Sequence, residues 1–284
     1  MLKKRRYVIR LLNLILVIIV YSCSPSTSVH EAKYGNNPAK NSGNKYHLVW
    51  SDEFNGAIIN ADNWTFESGL QNNNWPKYWG NNELEYYTDR PKNANIQNGN
   101  LVITARKEDY RGMHYTSARL KTAPNNSWLY GKFVARIKLP YGKGIWPAFW
   151  IMPETNSYGP WPQSGEIDIM ELIGDQPSSV YGTAHFGAQN GTKGGKYTLK
   201  DSLFYQNYHT FTLQWEPDKL IWFVDGNEYL KINKSDLPKG EWPFNRRFYI
   251  ILNLAVGGNW PGNPDKNTQF PQKMKVDYVR VYQK

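Results

Sequence analysis

From Tyr46 onward, apolar residues recur at alternate positions in short runs, and no stretch of ten or more residues carries a helical period. The runs cover residues 101–105, 130–139, 145–151, 165–173, 180–186, 209–215, 220–224, 248–256 and 276–282. Clusters of Gly, Pro, Asn and Asp separate them, as expected where strands end in tight turns. Asp225-Gly226 lies between two such runs and predicts a two-residue hairpin, because both central positions of that turn need positive φ. Many short strands without helices predict an all-β sandwich of two packed antiparallel sheets. With no internal repeat and no second linker, residues 46–284 are expected to form one domain.

The first 45 residues follow a different pattern. Lys3, Lys4, Arg5, Arg6 and Arg10 precede an apolar run, residues 11–20, broken only by Asn13; Ser22 and Cys23 follow. A basic front, a short apolar stretch and a small residue before a cut site predict a secretory signal over residues 1–23. The run is too short for a comfortable membrane span of about 20 residues. Cys23 is the single cysteine, so no disulfide can form within the chain. Val20-Tyr21-Ser22-Cys23 resembles a bacterial lipobox, which implies an acylated Cys23 and a membrane contact through that lipid alone. Ser24 is not the Asp associated with inner-membrane retention, so an outer-membrane lipoprotein is expected. Residues 24–45, rich in Ser, Asn, Gly, Pro and Lys, predict a flexible tether.

The formal charge of +10 falls to +5 once the five basic residues of the leader are set aside. No basic stripe or nucleic-acid-binding motif accompanies it, so nucleic acid is not an expected partner. Glycine-rich phosphate loops and Ser or Cys nucleophile motifs are likewise missing. The aromatic content says more. All 12 Trp follow Cys23. Flat aromatic faces pack cores, but they also stack on the C–H faces of pyranose rings, and composition does not separate the two uses.

The chemistry concentrates in GEIDIMELIG, residues 165–174. In a regular strand Glu166 and Asp168 share a face, and Glu171 would point into the core. An unpaired carboxylate there is costly. One extra residue at Ile169-Met170, a β-bulge, resets the alternation and returns Glu171 to the face of the other two acids. Like charges packed together raise pKa values and cost stability. Retaining glycosidases need such a pair, a nucleophile and a proton donor about 5–5.5 Å apart.

EIDIME in this bulged form resembles the active-site strand of family 16 of the glycoside hydrolases. So do WSDEFNG from Trp50, WGNNELEYYTD from Trp79, the run from Tyr130 to Pro153, YGTAHFG from Tyr181, ILNLAVGGNWPG from Ile251 and MKVDYVRVYQ from Met274. These motifs look like the laminarinase branch and span 46–284 in family order. The resemblance implies a β-jelly roll with a concave substrate cleft and endo-hydrolysis of β-1,3-glucan with retention of configuration. It implies Glu166 as nucleophile, Glu171 as general acid/base and Asp168 as their partner, with no cofactor for catalysis. The bulged motif disfavours lichenase-type and xyloglucan-type relatives. A mixed-linkage β-1,3-1,4-glucanase is the alternative on the same fold; a non-catalytic glucan-binding protein would be expected to have lost the acids.

If residues 145–151 are extended, Trp146, Ala148 and Trp150 share one face and Phe149 takes the other. The resemblance puts the Trp face in the cleft and His185 near its leaving-group side. It implies sugar contacts from Asn81 and Arg119. Trp161 and Trp260, in loops rich in Pro and Gly, are expected to be exposed and to bind rather than pack. A structural Ca²⁺ on the convex face is also implied, held by Glu53, the carbonyl of Gly99 and Asp277; oxygen donors suit that ion. The chain is expected to act as a monomer.

Overall fold

The computed structural model describes residues 45–70 and 80–284. The leader, Cys23 and the tether up to residue 44 lie outside the described residues. No α-helix occurs among those described, and one 3₁₀ turn covers Lys234–Asp236. The strands are β1 (His47–Asp52), β2 (Thr65–Phe66), β3 (Glu85–Tyr87), β4 (Ala94–Gln97), β5 (Asn100–Tyr110), β6 (Met113–Ser117), β7 (Arg119–Lys121), β8 (Gly131–Lys138) and β9 (Ile145–Pro153). They continue as β10 (Glu166–Glu171), β11 (Ser179–Phe186), β12 (Gly191–Thr198), β13 (His209–Glu216), β14 (Lys219–Val224), β15 (Asn227–Asn233), β16 (Phe248–Val256) and β17 (Gln272–Gln283).

Two sheets form. One runs β12-β11-β10-β9-β16-β7-β2; the other runs β15-β14-β13-β8-β17-β5-β6-β3, with β1 on β17 and β4 on β5. All pairings are antiparallel except β3 with β6, a departure from the purely antiparallel expectation. This three-residue edge strand is reached by a long connection rather than a hairpin, so its direction is not tied to its neighbour's. Asp225 (φ 49°) and Gly226 (φ 81°) make the two-residue hairpin between β14 and β15.

Alternation along the strands supplies the core. Phe149 and Ile151 of β9 and Leu252 and Leu254 of β16 point between the sheets. They meet Phe133 and Ile137 of β8, Leu213 and Trp215 of β13 and Trp222 of β14; all are buried. Trp146 and Trp150, on the opposite face of β9, stay half-exposed.

The bulge is present in β10. Against β9, Asp168 pairs with Trp150 and Met170 with Phe149, so Ile169 is the extra residue. Against β11, Asp168 pairs with Thr183 and Glu171 with Tyr181, two residues facing the single Gly182. Ile169 and Met170 both enter the core, and Glu171 comes round to the side of Glu166 and Asp168. A bulge disrupts the ladder locally. The carbonyl of Asp168 accepts instead from Trp222 Nε1 at 2.8 Å, from the other sheet. Gly182 permits that approach, since a Cβ there would stand 2.6 Å from Trp222 Cδ1 and 2.5 Å from the Tyr229 hydroxyl.

Trp222→Phe keeps the buried ring and removes the donor. It should cost about 1–3 kcal/mol, the penalty of an unsatisfied buried carbonyl, and lower turnover by loosening the bulge. Urea melts alongside kcat measurements check both; stability and kcat both unchanged would show that the bulge does not depend on this bond.

Candidate active site

Three acids line the open face of β10. Glu166 Oε2 accepts from Trp161 Nε1 at 2.8 Å, and Glu171 Oε1 accepts from Trp146 Nε1 at 3.0 Å. His185, the cross-strand partner of Glu166, places Nε2 3.1 Å from Asp168 Oδ2 and 3.9 Å from Glu166 Oε1. No group donates a well-directed hydrogen bond to that Asp168 oxygen, although Asp168 is only 3% exposed. The His185 contact is therefore one of proximity and charge rather than an aligned bond.

Burial raises all three carboxyls. Glu166 rises to about 8, through desolvation and then the neighbouring Asp168, opposed by His185 and the Trp161 N–H. Asp168 rises to about 7, again through desolvation. Glu171 lies well above the ordinary glutamate value, through desolvation and then the charges of Asp168 and Glu166. Three charges cannot coexist in so dry a place, and titration belongs to the group rather than to one residue. Glu171, facing the charges of both other acids, is driven toward its protonated form.

The cleft of about 420 Å³ runs across the sheet. On the β9 side of the acids it is lined by Trp146, Ala148, Trp150 and Met152, then by Asn253 and Tyr249 of β16, Arg119 of β7, Glu67, Glu83 and residues 80–81. On the β11 side stand His185 and Tyr181. The face shared by Trp146, Ala148 and Trp150 is the cleft face, as their spacing predicts.

Trp161 (51% exposed) and Trp260 (42% exposed) stand on the rim. Trp161 packs beside His185, ring centres 5.8 Å apart; Trp260 meets Trp146 at 5.7 Å and Tyr181 at 5.0 Å. Asn81 is exposed at the cleft edge, its carbonyl accepting from the Asn259 N–H. Arg119 is not simply a donor waiting for a hydroxyl: its Nε is paired with Glu67 at 2.5 Å, and its guanidinium lies over the Trp150 ring at 4.7 Å.

A second acid pair escaped the sequence reading. Glu85 is fully buried and accepts from the Val256 N–H at 2.6 Å. Burial and then the adjacent Glu83 push its carboxyl well up. Glu83 accepts from the Tyr87 hydroxyl, which accepts from Asn253 Nδ2; Asn253 Oδ1 in turn accepts from Trp150 Nε1 at 2.7 Å. A chain of hydrogen bonds thus runs from a buried carboxyl to the cleft wall. Its only sequence signal is ELEYY, acids spaced i, i+2 entering a strand.

The three residues expected to hold calcium come together, but two of them already have partners. β1 pairs with one half of β17 and β5 with the other, so Glu53, just past β1, and Gly99, just before β5, approach Asp277 in the middle of β17. Both carboxylate oxygens of Glu53 pair with Arg280, at 2.9 and 2.7 Å. Asp277 Oδ2 pairs with Arg136 at 2.6 Å.

A sandwich with a cleft over three largely desolvated carboxyls, walled by tryptophan, is the architecture of a polysaccharide-cleaving glycosidase. Residues 80–280 match the profile of the Glycosyl hydrolases family 16, and the chain belongs to that family. It is 41% identical over 250 residues to the Beta-glucanase of Rhodothermus marinus, covering 84% of this chain and 85% of that one. It is 42% identical over 258 residues to the Glucan endo-1,3-beta-glucosidase of Cryptopygus antarcticus, covering 83% and 91%. The laminarinase catalytic domain of Thermotoga maritima MSB8 superposes with a TM-score of 0.79 at 45% identity, over 84% of this chain and 98% of that one. Two further relatives are longer, and the chain spans 34% and 38% of them.

The raised carboxyls set a pH dependence of stability. Below about 4.5, Glu166 is protonated folded or unfolded; between 4.5 and about 8 only the folded state keeps the proton, so stability falls as pH rises. Glu166→Gln should therefore match the wild type in melting temperature near pH 4 and exceed it increasingly toward pH 8. Thermal melts across that range check the sign; a constant difference would contradict it.

Proposed function

We propose that the protein is an endo-acting β-1,3-glucanase that hydrolyses laminarin-type glucan with retention of configuration. The observation that carries this reading is the bulge, which sets Glu166 and Glu171 on one cleft face, each holding an indole N–H. The names of its relatives supply the substrate class.

In this mechanism Glu166 is the nucleophile. Burial raises this carboxyl, and the Trp161 N–H and nearby His185 oppose that rise; the reactive state is the one in which Glu166 is ionised and the acid group's remaining proton sits on Glu171. Glu171, protonated, donates to the leaving oxygen as Glu166 attacks the anomeric carbon. Esterification removes the charge of Glu166. With that charge gone, Glu171 stays a carboxylate after giving up its proton; it then takes one from the incoming water, whose oxygen bonds to the anomeric carbon as the ester bond to Glu166 breaks. Tryptophan faces at 146 and 150 and the polar groups of Asn81 and Arg119 hold sugars on the β9 side; Tyr181 stands on the β11 side, and Trp260 bridges it to Trp146.

Glu166→Ala and Glu171→Ala should each abolish turnover of laminarin in folded protein, and proton NMR should show the β-anomer released first. Substantial activity in purified Glu166→Ala, or early α-anomer, would end this assignment. Lichenan cleaved faster than laminarin would favour the mixed-linkage alternative.

We also propose export and anchoring through acylated Cys23, on the order of basic, apolar and Cys residues in 1–23, and a structural Ca²⁺ near Asp277 and the Gly99 carbonyl. Cys23→Ala should move the protein from the membrane fraction to the soluble one, and exhaustive EDTA should lower the melting temperature. An unchanged distribution or an unchanged melt removes the respective reading.

A further inference from the structure

Glu166, Asp168 and His185 offer more than the glycosidase chemistry needs. One carboxylate oxygen from each acid and one ring nitrogen lie within 4.8 Å of one another. Tetrahedral coordination at bond lengths of about 2.1 Å sets donors about 3.4 Å apart. The 3.1 and 3.9 Å from His185 Nε2 to Asp168 Oδ2 and Glu166 Oε1 bracket that spacing. We propose that these three side chains form a binding site for a borderline divalent transition-metal ion, with Zn²⁺ as its type, and that the ion shuts the enzyme by occupying the carboxylate on which cleavage would depend.

Several independent features support this. Asp168 Oδ2 is buried and lacks an aligned hydrogen-bond donor; the His185 ring nitrogen stands 3.1 Å from it without pointing a proton at it, so both donor atoms face the same small space. The Trp161 N–H holds Glu166 Oε2, which leaves Oε1 turned toward His185. Glu166 and His185 are direct cross-strand partners, and the Asp168 backbone is fixed by Trp222. The donors therefore sit on a rigid platform rather than on loops, and little ordering is needed to bring them together.

The donor set also selects among ions. Ca²⁺ takes six to eight oxygens, and Mg²⁺ keeps several waters in an octahedron; a compact trio containing an imidazole suits neither. Zn²⁺ accepts one nitrogen and two carboxylates, with the fourth position open toward the cleft, and Cu²⁺ would bind more tightly by the usual order of stabilities. Two carboxylates and a neutral imidazole balance the dication. No bond is made or broken beyond coordination; the protons shared by the acids are displaced into solvent. Glu171 lies on the same face beyond the bulge, bonded to Trp146, and is not a ligand.

The test is isothermal titration of the purified full-length enzyme with Zn²⁺ in chelator-free buffer at pH 7, alongside laminarin hydrolysis. One equivalent should bind, and inhibition should be competitive with laminarin. His185→Ala and Asp168→Asn should each weaken Zn²⁺ binding at least about tenfold, as loss of one ligand of three demands. Glu171→Gln should keep the wild-type Zn²⁺ affinity although it cannot turn over. Co²⁺ should give visible d–d absorption that His185→Ala loses, which reads the site without any assay of activity. No heat of binding up to about 1 mM Zn²⁺, corresponding to a Kd beyond the millimolar range, would overturn the proposal. So would unchanged affinity in both ligand variants of confirmed fold, or equal loss in Glu171→Gln. An enzyme that cleaves laminarin normally but ignores Zn²⁺ would sink this inference alone and leave the proposed glucanase activity standing.

Discussion

The hydrogen bond from Trp222 to the carbonyl of Asp168 joins the two sheets at the point where the site depends on irregular backbone. A bulge gives up ladder hydrogen bonds, and in a dry interior the freed groups must find partners. Here the partner is an indole from the opposite sheet, admitted because β11 carries glycine at residue 182. Core packing, the position of Ile169 and the outward turn of Glu171 are thus parts of one arrangement. Neither sheet could hold the acids in this way alone.

The same economy governs charge. Asp168 is buried, Glu166 and Glu171 are half-buried, and all three carboxyls are raised, which is a cost to the fold. Indole N–H groups offset part of it: Trp161 serves Glu166 and Trp146 serves Glu171, while the rings themselves form cleft surface. Tryptophan suits such a place because it combines a broad apolar face with a single donor. Farther along, Trp150 is fixed at its donor end by Asn253 and covered by Arg119. Arg119 is in turn held by Glu67, so the cleft wall is braced from behind.

What the sequence made legible was periodic or local. The parity of Glu166, Asp168 and Glu171 in one strand required a bulge, and the bulge is there, at Ile169. Alternation put Trp146 and Trp150 on one face, and Asp225-Gly226 marked its hairpin. Partnerships between distant strands were not legible. Nothing local ties Trp222 to Asp168, Glu53 to Arg280 or Glu67 to Arg119, and each of these changed the meaning of a residue. Glu53, expected at a cation site, also forms an ion pair with Arg280 that no local pattern announced. Glu83 and Glu85 resembled ordinary polar residues at the mouth of a strand, because burial by β16 cannot be seen from ELEYY. The parallel pairing of β3 was invisible for a similar reason, since direction at a sheet edge follows from the path of the connecting chain.

Trp161 stands half in solvent on a loop, yet its nitrogen rests on Glu166. Rim loops in such enzymes are the parts that can diversify to admit differently shaped polymers, but this one is wired to the reactive centre. Remodelling it would retune the acidity of the carboxyl beneath. Evolutionary change in what the cleft admits therefore has a freer route around Trp260, whose own ring reaches the acids only at second hand, through Trp146.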